Sequence, residues 1–247
     1  MSESDKALLA ASIGIDRYRV IARRPVTIAV GPRAYLPGLC CALLAFVVAY
    51  HQGPLTALAA AFLGGIALLA SLAVHEAGHL LFSRGARGIE PRMLVMRSSG
   101  GVSIVEGRCA DARSAAMFAA GGPLASLVLS IAFITCGLLA PFAVVRVALL
   151  VAAVLNVLFL GLNLLPVAPM DGFALFRSAV WAEVGNRAEA ERRAIKWSRI
   201  VLLAGLYFSL IMMTSDRLVG LAALCVLATL TAQHRAAARL VQSNSTR

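Results

Sequence analysis

Long apolar segments alternate with short polar ones along almost the whole chain. After a polar, basic opening, apolar residues run from about Leu36 to Tyr50, Leu55 to Phe82, Ala115 to Leu139, Phe142 to Leu165, Ile200 to Met213 and Leu218 to Ala232. A helix needs about 20 apolar residues to cross a hydrocarbon core. The pattern therefore predicts an all-α polytopic membrane protein with about six transmembrane helices. One interval breaks the rule. Met93-Leu94-Val95-Met96 and Val102-Ser103-Ile104-Val105 read as short strands around a Ser98-Ser99-Gly100-Gly101 turn. They predict a small membrane-associated β-hairpin or sheet at about 89–106, between the second and third spans. An unpaired edge there could accept an extended peptide by strand addition.

This gives an N-terminal arm over 1–35, a six-span domain over 36–232 and a tail over 233–247. In the arm, Val26-Thr27-Ile28-Ala29-Val30 suits a strand or an interfacial segment, and Arg17, Arg19, Arg23, Arg24 and Arg33 would favour an anionic lipid surface. The absence of an early apolar core predicts no cleavable signal peptide. From about 173 to 197 the chain is charged and amphipathic, which predicts a surface helix. His51 in a turn and His234 in the tail read as solvated residues.

Composition supports a membrane setting. Hydrophobic residues make up 60% and charged residues 14%, whereas soluble domains are near half apolar and a quarter charged. The net charge of +11 comes from residues scattered between apolar segments, so it does not indicate nucleic-acid binding. Of the 23 Lys and Arg, six lie in 1–36, six in 83–114, six in 171–199 and three from 233 onward; only Arg146 and Arg217 lie in the alternate loops. By the positive-inside rule both termini are expected in the cytoplasm. The second and fourth spans then both end at the cytoplasmic face. None of the five cysteines forms a CxxC pair, so neither a disulfide nor a zinc–thiolate site is expected.

The chemistry lies in His75-Glu76-Ala77-Gly78-His79, near the end of the second span. Ionisable groups are costly in hydrocarbon, so their presence points to function. Helical spacing puts His75 and His79 on one face, which suits two ligands of one Zn2+ ion, with Glu76 beside them as a base for water. The fourth span ends in Asn163-Leu164-Leu165-Pro166-Val167-Ala168-Pro169-Met170-Asp171-Gly172. Two prolines stop the helix and put Asp171 at the same membrane edge as the histidines. Two histidines and a carboxylate leave a zinc ion one open position, the pattern of catalytic sites. A non-catalytic membrane scaffold and a metal transporter are the alternatives.

These motifs, with Gly121-Gly122-Pro123 in the third span, resemble the site-2 protease family of intramembrane zinc metalloproteases. The resemblance covers roughly 55–175. It implies that His75, His79 and Asp171 bind zinc, that Glu76 is the catalytic glutamate and that Asn163 holds the substrate backbone or the oxyanion. It also implies that the hairpin at Gly100-Gly101 guides a membrane-anchored substrate. Met170 stands where the family commonly has Leu, and Phe173 where Gly is frequent. No segment suits a PDZ domain and no CBS pair follows the last span, so a compact member is expected. No regulatory partner is legible.

Overall fold

The computed structural model describes residues 19–22, 26–31, 33–97 and 100–245. Arg17, Arg23, Arg24 and the Ser98-Ser99 pair lie outside them. The elements are β1 (Arg19–Ala22), β2 (Thr27–Val30), α1 (Leu36–Ala49), α2 (Pro54–Ser83), β3 (Ile89–Arg97), β4 (Gly100–Gly107), α3 (Ala112–Leu139), α4 (Ala143–Asn163), α5 (Asp171–Val184), α6 (Arg187–Ser215) and α7 (Arg217–Ser245).

Among the described residues, α2, α3, α4, α6 and the Arg217–Arg235 part of α7 are long and apolar enough to cross a membrane. The remaining expected span, Leu36 to Tyr50, falls in the shorter apolar helix Leu36–Gln52. Large side chains point outward on these helices: Leu55 is 81% exposed, Leu139 78% and Leu218 79%. Apolar surface on that scale is unfavourable in water and suits lipid. The chain is a multi-pass membrane protein.

Two compact units divide the chain: Met1–Arg108 with Gly121–Leu160, and Cys109–Ala120 with Gly161–Arg247. In the first, small residues bring helices close together. Gly64 on α2 lies against Ala45 and Cys41 of α1 and the Ala148 carbonyl of α4, and Cys41, Ala45, Leu68, Val151 and Ala152 fill the core beside it. Lipid-phase helices pack by such close approach, since no hydrophobic force distinguishes a helix face from a lipid tail.

The same unit holds a sheet of order β1-β2-β3-β4. β3 and β4 form the expected antiparallel pair, but both are longer than expected. Gly100 and Gly101 belong to β4 rather than to a turn, because the ladder continues through Met96↔Gly101 and Arg97↔Gly100. The stretch around Val26–Val30 proves to be a strand, running parallel to β3 with Ile28 opposite Leu94. β3 is buried on both faces. Met93 and Val95 pack with Ala29 and Ile104, while Leu94 and Met96 pack against Leu72 and Leu80 of α2. This period-two division is what a strand between two apolar layers requires. β4 ends the sheet order, and no strand pairs with its other edge among the described residues.

In the second unit, the expected surface helix over 173–197 is two helices. Gly185 adopts the left-handed conformation that ends α5 (φ 67°), a conformation Gly takes without a Cβ penalty. The Asn186 side chain then accepts the Glu189 N–H and caps α6. α6 continues without a break into the fifth apolar segment. The expected tail is also helical, because α7 runs to Ser245. His234 is not solvated: it is 4% exposed and lies 2.9 Å by Nδ1 from Ser198 Oγ of α6. His51 is exposed, as expected.

Candidate metal centre

HEAGH occupies the C-terminal turns of α2, where His75, Glu76 and His79 are all nearly buried, at 2%, 6% and 5% exposure. The helix brings the two histidines together. Their Nε2 atoms stand 3.3 Å apart, with the rings edge to face.

Glycine makes room for this pair. Gly78 of α2 and Gly121 of α3 meet backbone to backbone, and a Cβ on either would collide with the other's carbonyl. One residue on, a Cβ on Gly122 would fall on His79 Nε2 and come 2.6 Å from His75 Nε2. The Gly121-Gly122-Pro123 motif therefore leaves a space facing both nitrogens. Pro123 sits inside α3, which continues through it.

His75 is held from behind. Its Nδ1 lies 2.9 Å from Ser126 Oγ, and the Phe159 ring packs edge-on at 5.2 Å. Fixing Nδ1 in this way frees Nε2 to point at a ligand and sets the ring's orientation. The Gly122 N–H lies 3.4 Å from His79 Nδ1, too long to fix that ring's tautomer. Ser126 belongs to a buried network around Asn156. Ser71 Oγ donates to Asn156 Oδ1 at 2.5 Å, and Asn156 Nδ2 donates to Ser126 O at 3.0 Å and to Ser130 Oγ at 2.9 Å. Sequence reading missed Ser126, Ser130 and Asn156. The signal for Asn156 was available: a fully buried amide inside an apolar span needs partners.

β4 supplies the other wall. Ser103 Oγ lies 2.8 Å from Glu76 Oε2 and 2.7 Å from the Glu76 carbonyl, so its one hydrogen is shared between the two acceptors. A Cβ on Gly101 would collide with Glu76 Cγ and come 2.7 Å from Oε1. Gly101 is thus the residue that lets the strand pass over the glutamate. Gly100 lies over the Phe159 ring.

In the second unit, Asp171 is the first residue of α5 and is half-buried. Tight turns precede it, with Val167 N–H donating to Leu165 O and Met170 N–H to Val167 O, both at 2.8 Å. The Ala168 N–H donates to Ser198 Oγ at 3.2 Å. Gly172 lies on the Leu164 carbonyl, where no side chain would fit. Asn163 is half-buried at the end of α4. Burial raises the Cys109 thiol pKa above its ordinary range, although Arg187 and Arg177 pull the other way. That favours the thiol over the nucleophilic thiolate.

No family model matches the chain. It is 34% identical over 162 residues to "Putative zinc metalloprotease Rip3" of Mycobacterium tuberculosis, covering 64% of this chain and 41% of that protein. It is 32% identical over 121 residues to "Putative zinc metalloprotease sll0528" of Synechocystis, covering 49% of this chain and 32% of that protein. The matches span less than half the length of these relatives. In fold it is similar to the site-2 protease from Methanocaldococcus jannaschii, with a TM-score of 0.52 at 17% identity, over 88% of this chain and 95% of that one. The chain thus shares the fold of a site-2 protease and is similar in sequence to proteins named as zinc metalloproteases.

Proposed function

We propose that this protein is an intramembrane zinc metalloprotease. It hydrolyses a peptide bond in or near a transmembrane segment of a membrane-anchored substrate, with its active site and both termini facing the cytoplasm. The observation that carries the reading is the 3.3 Å separation of His75 Nε2 and His79 Nε2. Two nitrogens at about 2.0–2.1 Å from one tetrahedral zinc stand about 3.3 Å apart. Asp171 is the third ligand in this reading, the carboxylate that the Met170-Asp171-Gly172 motif supplies at the start of α5.

Zinc bound there supplies Lewis acidity toward water and a peptide carbonyl. The protein's own groups do the rest. Glu76, held by Ser103 and packed under Gly101, accepts the proton of the attacking water and returns it to the departing amine. A helical substrate hides its carbonyls in intrahelical bonds, so it must unwind first. The open edge of β4, with Gly100 and Gly101 at its start, pairs with the unwound segment, and the Asn163 amide holds the same backbone. A scaffold needs no glutamate beside its histidines, and a transporter needs no strand edge over one.

Substrate trapping tests this. Glu76→Gln in native membranes should retain a membrane-anchored protein that wild type processes. Equal turnover of every membrane protein in wild-type and Glu76→Gln cells would refute it.

A further inference from the structure

His234 stands apart from the proposed reaction. Ser198 Oγ accepts the Ala168 N–H and has one hydrogen of its own to give. His234 Nδ1 lies 2.9 Å from that hydroxyl. Nε2 is buried and has no hydrogen-bond partner among the described residues. Leaving a buried polar nitrogen unmatched is costly, so a polar partner is called for.

The surroundings indicate its kind. His234 lines a cavity of about 860 Å³ between α6 and α7. Leu202 and Leu227 contribute apolar wall, and the exposed Arg199 and Arg235 line the same cavity. On α7, Arg235 lies about 27 Å along the helix from Arg217, close to the roughly 30 Å thickness of a hydrocarbon core. The two arginines thus sit at headgroup depth on the face opposite Arg217.

We infer that this cavity binds one anionic membrane phospholipid. The acyl chains lie along the leucines, the phosphate meets Arg199 and Arg235, and a headgroup oxygen or hydroxyl supplies the partner of His234 Nε2. Free phosphate would leave the apolar wall empty, and an apolar peptide helix would leave both arginines unanswered. The inference does not depend on the proposed hydrolysis.

Native mass spectrometry of the full chain with equimolar phosphatidylglycerol and phosphatidylcholine tests it. Wild type should retain one phosphatidylglycerol in preference. The Arg199→Ala/Arg235→Ala double variant should lower that preference about thirtyfold, the usual strength of two basic side chains at an anionic surface. Ala228→Trp, which fills the cavity and keeps the charges, should abolish retention of both lipids. The inference is overturned if wild type shows no preference, if both variants retain phosphatidylglycerol as wild type does, or if glycerophosphoglycerol without acyl chains competes as well as the intact lipid.

Discussion

His75 Nδ1 rests 2.9 Å from Ser126 Oγ, and Ser126 is itself tied to Asn156 through its carbonyl. The His75 ring is thereby fixed by residues from two neighbouring helices. Ser126→Ala should weaken metal binding about 10–100-fold, the usual effect of removing a group that orients a ligand. Asn156→Leu should cost about 1–3 kcal/mol for the partners it strands, with Ser71 and Ser130 losing theirs. Competitive zinc titration and thermal unfolding separate the two effects. Unchanged zinc affinity in Ser126→Ala would make that contact incidental.

Two glycine-to-alanine changes should fail in different ways. Gly122→Ala drives a methyl group onto both Nε2 atoms, so zinc content should fall. Gly101→Ala drives one onto Glu76, so zinc should remain while turnover collapses. Metal analysis beside a cleavage assay reads both. Zinc loss in Gly101→Ala together with retention in Gly122→Ala would reverse the assignment of the two walls.

Glu76→Gln keeps the ligands and removes the base, so it should hold zinc normally and lose most turnover. Ser103→Ala should lower turnover less severely, since the glutamate loses only its anchor. Wild-type proteolysis by Glu76→Gln would defeat the proposed mechanism.

Orientation is testable independently. Reporters fused at Met1 and Arg247 should both read cytoplasmic, as the distribution of basic residues demands. An external reading at either end would separate the proposed active site from the cytoplasm.

Much of this architecture is legible in sequence because membrane helices announce themselves by length and apolarity, and because HEAGH and Gly121-Gly122-Pro123 are local. Non-local pairing is not. Ile28 finds Leu94 across 66 positions, and nothing in either segment names the other. His234 was misread for the same reason: its partner Ser198 is 36 positions away. The break between α5 and α6 was readable in Gly185-Asn186 but was masked by the helix-forming residues on either side. Asn156 was visible as a lone amide in hydrocarbon, yet its partners are serines that composition treats as neutral.

The central claim is that His75 and His79 share one zinc ion with a carboxylate. X-ray absorption at the zinc edge of the purified protein tests it most directly. The account predicts one zinc per chain, bound by two imidazole nitrogens and oxygen donors at about 2.0–2.2 Å with no sulfur, and loss of most of that zinc in Asp171→Ala. A metal-free protein under zinc-replete conditions, with the two imidazoles bonded only to each other, would contradict it.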